Sequence, residues 1–322
     1  MIGQSPMFLE MLQHIEKITR CDVPVLIEGE TGTGKELVAR AIHYGSSRRE
    51  NPFIPVNCGA IPDTLVENEL FGHKRGAYTD AQSDDPGLIT HARHGTLFLD
   101  EVDALPPKAQ VVLLRFLQDY QYRPLGGTQT LSADVRVIVA SNANLAKLAE
   151  QGCFRLDLLF RLKIMYLKLP PLRERQGDAV LLADHFLQIC AQRFGYGDKK
   201  LHPDTLGWFE QYYWPGNIRE LENMIYREYL LEDGSIIHIK SPQFSVAERR
   251  NGTERRQSSL INKVFNEAKG HAIAEFEQCY LAEALAKTHG NVTKAAKLAG
   301  KERRAFGKLL KKYGMDKNFY YP

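Results

Sequence analysis

The stretch Gly29-Glu30-Thr31-Gly32-Thr33-Gly34-Lys35-Glu36 constrains this chain more than any other. An apolar run, Val23 to Ile27, precedes it and reads as a buried parallel strand; Leu37 to Ile42 follow and read as a helix. Strand, glycine-rich loop, Gly-Lys and helix together make a phosphate-binding loop. Glycines let backbone N–H groups converge on phosphate oxygens, because a Cβ would block the approach. The helix N-terminus adds positive potential at the same point. Lys35 is placed to reach terminal phosphates. Glu36 stands where the general pattern has a Ser or Thr hydroxyl for magnesium.

The chain around this loop alternates. An amphipathic helix is expected over 7–20, then strand 23–28, helix 35–44 and strand 52–57, with Leu65, Leu70 and Phe71 on a following helix. Residues 73–81 are polar and glycine-broken, so they form a loop or hairpin tip. Gly95 to Glu101 reads as a buried strand ending in two carboxylates, and 106–119 as a helix opened by Pro106-Pro107. Residues 122–131 hold Gly126-Gly127 and read as a hairpin or loop. Val135 to Ala140 and Ile164 to Leu169 are two more buried strands, separated by a short helix over 154–162. This alternation predicts an α/β domain, a parallel sheet covered on both sides, over residues 1–172. From 173 to 240 the strand pattern disappears and three helices are expected, at 179–194, 204–211 and 218–232. Residues 241–270 are polar and charged and read as a linker. Residues 271–322 form an all-α piece, with helices near 272–288, 292–298 and 302–313.

Charge separates the tail from the body. Residues 1–240 carry 26 Lys and Arg against 31 Asp and Glu, whereas residues 271–322 carry 10 against 5. A basic tail on an acidic body suits nucleic acid. No run of apolar residues is long enough to span a bilayer, and the first residues have no secretory pattern. The five cysteines are scattered and none is paired at metal-ligand spacing, which fits reduced thiols and a cytoplasmic location.

The chemistry follows from a few residues. Asp100, at a buried strand end, can hold hydrated Mg²⁺, and Glu101 can activate a water, so ATP hydrolysis is expected and not only binding. Arg155 and Arg161, on one short helix, suit charge stabilisation at a γ-phosphate donated by a neighbouring subunit, which implies an oligomeric ring. Asn217 is a plausible N-cap of its helix. Arg219 falls in the first turn, where a cation gains nothing from the helix dipole, so an anionic partner is expected. His91 and His94 have no third ligand nearby and read as a solvated pair. Residues 290–310 read as helix–turn–helix. Ala295, Ala296 and Leu298 form the apolar face of its first helix and Phe306, Leu309 and Leu310 that of its second. Thr293, Lys294, Lys301, Arg303, Arg304 and Lys308 are left for phosphates and base edges.

Taken together these residues resemble the bacterial enhancer-binding activators of sigma-54 RNA polymerase, AAA+ ATPases with a C-terminal Fis-type helix–turn–helix. The resemblance runs from Ile2-Gly3-Gln4-Ser5 to about Gly314. GETGTGKE (29–36) resembles the family's Walker A, Glu36 included, and TLFLDE (96–101) its Walker B. The resemblance implies that Asn57 holds the catalytic Glu between hydrolysis events. It makes Asn142 sensor I, Arg155 and Arg161 the arginine fingers, and Arg219, in WPGNIREL, sensor II. It implies ATP and Mg²⁺, a hexameric ring, an upstream DNA site, and a loop that touches the sigma factor. That loop here is Gly76-Ala77-Tyr78-Thr79-Asp80-Ala81, where the family has Gly-Ala-Phe-Thr-Gly-Ala. Tyr keeps the ring; Asp80 adds a charge and a Cβ at the tip.

Three readings stay open from sequence. The first is an ATP-driven activator that remodels sigma-54 polymerase. The second, motivated by Asp80, is an ATP-binding regulator working with another sigma factor. The third is an AAA+ remodeller of some other protein, whose tail serves assembly. The chain begins at the ATPase, as either a short member controlled by another protein or an excised part of a longer one.

Overall fold

The computed structural model describes residues 1–78, 81–239, 281, 285, 288, 291–299 and 303–312. One compact body spans Met1–Ser241. Its centre is a five-stranded parallel sheet in the order β2-β3-β6-β1-β7, built from β1 (Val25–Glu28), β2 (Phe53–Asn57), β3 (Thr96–Asp100), β6 (Arg136–Ser141) and β7 (Met165–Lys168). Leu97, Leu99, Val137, Val139 and Leu26 face one core; Val25, Ile27, Phe98, Ile138 and Ala140 face the other. The three inner strands β3, β6 and β1 are buried on both faces, as the sequence demanded of a sheet covered on both sides, and the edge strands β2 and β7 are largely half-buried or exposed.

Helices α1 (Pro6–Thr19) and α2 (Lys35–Tyr44) cover one face through Phe8, Met11, Ile15, Val38 and Ile42. Helices α3 (Val66–Phe71), α5 (Pro107–Asp119) and α7 (Leu156–Leu162) cover the other through Leu70, Leu113, Phe116 and Leu158. Two short helices, α4 (Gly87–His91) and α6 (Leu145–Glu150), were not legible. Each is too short to show a helical period. The glycine-rich 122–131 segment is a hairpin, β4 (Gln121–Tyr122) against β5 (Leu131–Ser132). The 73–78 segment is a loop hydrogen-bonded to it: the Lys74 amide donates to Leu125 O. Thr79 and Asp80 lie outside the described residues.

After β7 the chain enters a helical subdomain of α8 (Asp178–Phe194), α9 (Pro203–Phe209) and α10 (Asn217–Leu231), packed around Phe209, Trp214, Leu221, Ile225 and Tyr229. The expectation that strands disappear here needs correction. β8 (Lys200–Leu201) pairs in parallel with β9 (Ile236–Ile237), which ties the connection between α8 and α9 to the segment after α10. Two-residue strands are too short to show alternation.

The tail belongs to a second compact unit, Pro242–Pro322. α11 (Val292–Leu298) is N-capped by the Asn291 side chain, which accepts from the Thr293 and Lys294 amides at 3.2 and 3.1 Å. α12 (Arg303–Lys312) follows. Ala295, Ala296, Phe306 and Leu310 are buried with Leu281 and Leu285, and Leu309 packs against them. Leu298 is corrected: it is 58% exposed, and Val292 and Ala299 flank the cluster instead. The expected linker and most of the expected 272–288 helix lie outside the described residues.

Candidate active site

The carboxyl ends of β1, β3 and β6 meet at one cleft, where open α/β sheets bind ligands. The cleft has a volume of about 450 Å³ and is lined by Thr31–Val38, Asp100, Glu101, Asn142 and Arg219. Ile2, Phe8, Met11, Leu169, Leu182, Phe186 and Ile218 give it an apolar stretch of wall, with Arg175, His185 and Glu222 among them. One end therefore suits phosphates and the other an aromatic base. This apolar stretch was missed from sequence because its residues are scattered from Ile2 to Ile218.

The loop between β1 and α2 is set by left-handed glycines, Gly32 (φ 80) and Gly34 (φ 93). Lys35 Nζ donates to Gly29 O at 2.8 Å and to Glu30 O at 3.2 Å. Burial pushes the Lys35 pKa down, against the pull of Asp100, Asp103 and Glu101. A cation held by two carbonyls and faced by three carboxylates is ready to turn to an incoming polyanion. Glu36 takes no part in this. Its carboxylate pairs with Arg40 at 2.8 Å, one turn along α2.

Asp100 closes β3 and accepts the Glu101 amide at 2.9 Å. Glu101 sits at φ 54, ψ 44, a left-handed conformation uncommon for a residue with a Cβ. Asn57, at the end of β2, accepts the Gly59 amide at 2.8 Å. A Cβ on Gly59 would lie 2.6 Å from Glu101 Oε2 and 3.3 Å from Asn57 Oδ1. Gly59 thus lets the Asn57 and Glu101 side chains converge over its backbone. Asp103, not singled out from sequence, accepts the Ser141 hydroxyl at 2.6 Å and adds a third carboxylate. Cys58, beside Asn57, is pushed up to about 12 by burial and the nearby acids, and stays a thiol.

The two arginines of the 154–162 segment are away from this cleft in the single chain. Arg155 precedes α7 as its N-cap residue, a correction to its expected helical place, and pairs with Asp157 at 2.7 Å. Arg161 Nε donates to Leu117 O at 2.8 Å and Nη2 to Gln118 O at 3.1 Å. Leu156 and Phe160, on the same short helix, are 56% and 69% exposed.

Asn217 is also corrected. Gly216 is the N-cap of α10, and Asn217 is its first residue, fully buried at φ 51. Its side chain accepts the Leu172 amide and donates to Thr31 O and Glu30 Oε2. Arg219, two residues on, reaches the cleft.

Two histidine clusters lie outside the cleft. His94 Nδ1 lies 2.8 Å from Asp134 Oδ2, and His91 is not part of that contact. His202, Asp204 and His238 each bring a ligand atom within 4.8 Å of the others. Yet His202 Nδ1 accepts the Asp204 amide, and the start of α9 disfavours a cation.

Residues 1–168 match the family model for the sigma-54 interaction domain, 173–259 the AAA+ ATPase lid domain, and 272–313 the bacterial regulatory protein, Fis family. This chain belongs to the sigma-54-dependent activator family. The activator is 40% identical to the regulatory protein AtoC of Escherichia coli (strain K12) over 98% of its own length and 68% of AtoC. It is 40% identical to the sigma54-dependent transcriptional regulator SfnR of Pseudomonas fluorescens (strain Pf0-1), over 97% of its own length and 88% of SfnR. Its fold is similar to crystal structures of NtrX from Brucella abortus. The TM-score is 0.69 at 33% identity, covering 97% of this chain and 69% of NtrX. NtrX has also been solved with ATP and with ADP, each with a TM-score of 0.68 to this chain. The activator is an AAA+ ATPase and a transcriptional regulator with a Fis-type helix–turn–helix. No described helix is long and apolar enough to cross a membrane. Cys21, Cys58, Cys153 and Cys190 are free.

Proposed function

We propose that this activator binds ATP in the β1–α2 cleft, hydrolyses it between subunits of a hexameric ring, and spends the cycle moving the 76–81 loop against sigma-54 polymerase. The observation that carries the reading is the convergence of Lys35, Asp100, Glu101, Asn142 and Arg219 on one cleft. Backbone amides of Gly29–Glu36 and the Lys35 ammonium hold the phosphates. Glu101 takes a proton from the attacking water, and Asn57, meeting it over Gly59, holds it aside between turnovers. Asn142 and Arg219 line the γ-phosphate end. Arg155 and Arg161 act in the neighbouring subunit's site, which agrees with their distance from their own.

The donor set fits Mg²⁺: hard carboxylate oxygens at a strand end, facing a buried lysine. Asp100 would hold the ion through water, and Mg²⁺ would supply positive charge that offsets the charge of the phosphates. Glu36, paired with Arg40, offers it no hydroxyl.

Thr293, Lys294, Arg303, Arg304 and Lys308 are exposed and suit DNA at an upstream site; Lys301 lies outside the described residues. Tyr78, at the base of the proposed sigma loop, packs against His73 at 5.1 Å between centroids. The test is open-complex formation at a sigma-54 promoter with purified polymerase. ATP-dependent open complexes are expected from the unaltered chain and none from Glu101→Gln. Complexes from Asp80→Gly alone would support the reading with another sigma factor.

A further inference from the structure

Helix α10 begins without a capping side chain, because its N-cap residue is Gly216. The amides that a Ser or Asp would normally satisfy go across the subdomain boundary instead. Ile218 N–H donates to Gly32 O at 3.0 Å and Arg219 N–H to the same oxygen at 3.4 Å. The carbonyl that caps the helix therefore belongs to the phosphate loop. The approach is close: a Cβ on Gly32 would lie 2.2 Å from Gly216 O.

Two side-chain fasteners flank this contact. Asn217 Nδ2 donates to Thr31 O at 3.0 Å and to Glu30 Oε2 at 3.2 Å, while its Oδ1 accepts the Leu172 amide at 2.8 Å. Arg173 grips the Glu30 carboxylate with both Nη atoms, at 2.7 and 2.6 Å, and its guanidinium stacks on Tyr213 at 4.4 Å. Asn is the side chain that best tolerates φ 51 while offering both a donor and an acceptor.

We infer that Asn217, supported by the Glu30–Arg173 pair, is a positioning residue. It fastens the start of α10 to the phosphate loop and so fixes Arg219 relative to the γ-phosphate. The lid's contribution to hydrolysis is then set by the backbone that holds the phosphates, not by packing inside the lid. The inference rests on the proposed phosphate role of Gly29–Glu36 and Arg219.

The test compares ATP and ADP on the full chain, because only ATP carries the phosphate that Arg219 faces. Asn217→Gly keeps the left-handed backbone and removes the side chain. It is expected to lower kcat and the preference for ATP over ADP by about tenfold each, the weight of a hydrogen bond to a charged group. ADP affinity is expected to stay near that of the unaltered chain. Glu30→Gln, which removes the charge without the shape, should give the same signature more weakly. On an Arg219→Ala background, Asn217→Gly should add nothing further. Equal loss of both nucleotides, or a full additional loss on that background, would overturn the inference by marking a purely structural residue. Unchanged kcat and discrimination would overturn it as well. Lys35→Ala separates the underlying reading: if it still binds both nucleotides, the phosphate site is misassigned, whatever Asn217 does.

Discussion

At the scale of single residues, Glu101 and Asp178 do opposite work. Glu101 is held in a left-handed conformation at the end of β3, where its carboxylate stays free to act on water. Removing its charge should disable chemistry and leave binding intact. Glu101→Gln is expected to lower phosphate release by about 10²–10⁴-fold, the range for a lost general base, with ATP affinity preserved in a binding assay. Asp178 is buried and makes no contact with the phosphate end. It accepts the Gln4 and Ser5 amides, the Ser5 hydroxyl and Arg175 Nε, and Arg175 Nη2 holds Ile2 O. These contacts pin the first residues against the start of α8 and form the wall beside Ile2 and Phe8. Burial opposes the Asp178 charge, but the Gln4 amide, Arg175 and Ser5 outweigh it, so its pKa lies below the usual carboxylate value. A depressed folded pKa stabilises above the unfolded value, near 4, and that stability is lost as pH falls through the folded value. Asp178→Asn should cost roughly 3–5 kcal/mol at neutral pH by leaving Arg175 buried and unpaired. Thermal unfolding should also depend less on pH below about 4.

At the scale of elements, the tail offers a separable test. α11 and α12 are fixed by Phe306 and by the Asn291 cap, while the basic side chains stay in water. Asn291→Ala should destabilise this unit by about 1 kcal/mol without altering the phosphate site. Arg303→Ala and Arg304→Ala should each weaken DNA binding. If each contacts one phosphate, each flattens the log–log salt dependence by about 1. A salt slope equal to that of the unaltered chain would sink the DNA-contact assignment. Helix capping at the start of α11 and phosphate contact from α12 thus report on different physics in two neighbouring elements.

At the scale of the whole molecule, the proposed sharing of the site between neighbouring chains makes its own prediction. Arg161 is turned to carbonyls of Leu117 and Gln118 and Arg155 to Asp157, while apolar Leu156 and Phe160 beside them are exposed. Two inactive chains should therefore rescue one another. In an equimolar mixture of Glu101→Gln and Arg161→Ala, about a quarter of interfaces pair an intact Glu101 with an intact Arg161, and ATPase activity should return to that extent. No recovery, with ring assembly shown by light scattering, would remove Arg161 from the neighbouring site.

What the sequence determined by itself is the chemistry and the sheet. The glycine pattern at 29–36 needs φ > 0 and close phosphate approach wherever it occurs. A short run such as Val135 to Ala140, β-branched and apolar but for Arg136, reads as a buried strand, and β6 carries all of it but Val135. Asp100-Glu101 at the end of such a run places the acids at the ligand edge of any parallel sheet. Short elements escaped, because β8, β9, α4 and α6 are fixed by neighbours and not by period. Only the tertiary structure decided the roles of Asn217 and Arg173. Asn before a helix reads as a cap, yet the structure makes Gly216 the cap residue and turns Asn217 onto the phosphate loop. Arg173 and Glu30 are 143 positions apart, and no local pattern encodes that pair. Local propensity follows from covalent neighbours; which helix start a phosphate loop caps depends on how the sheet and the lid close on each other.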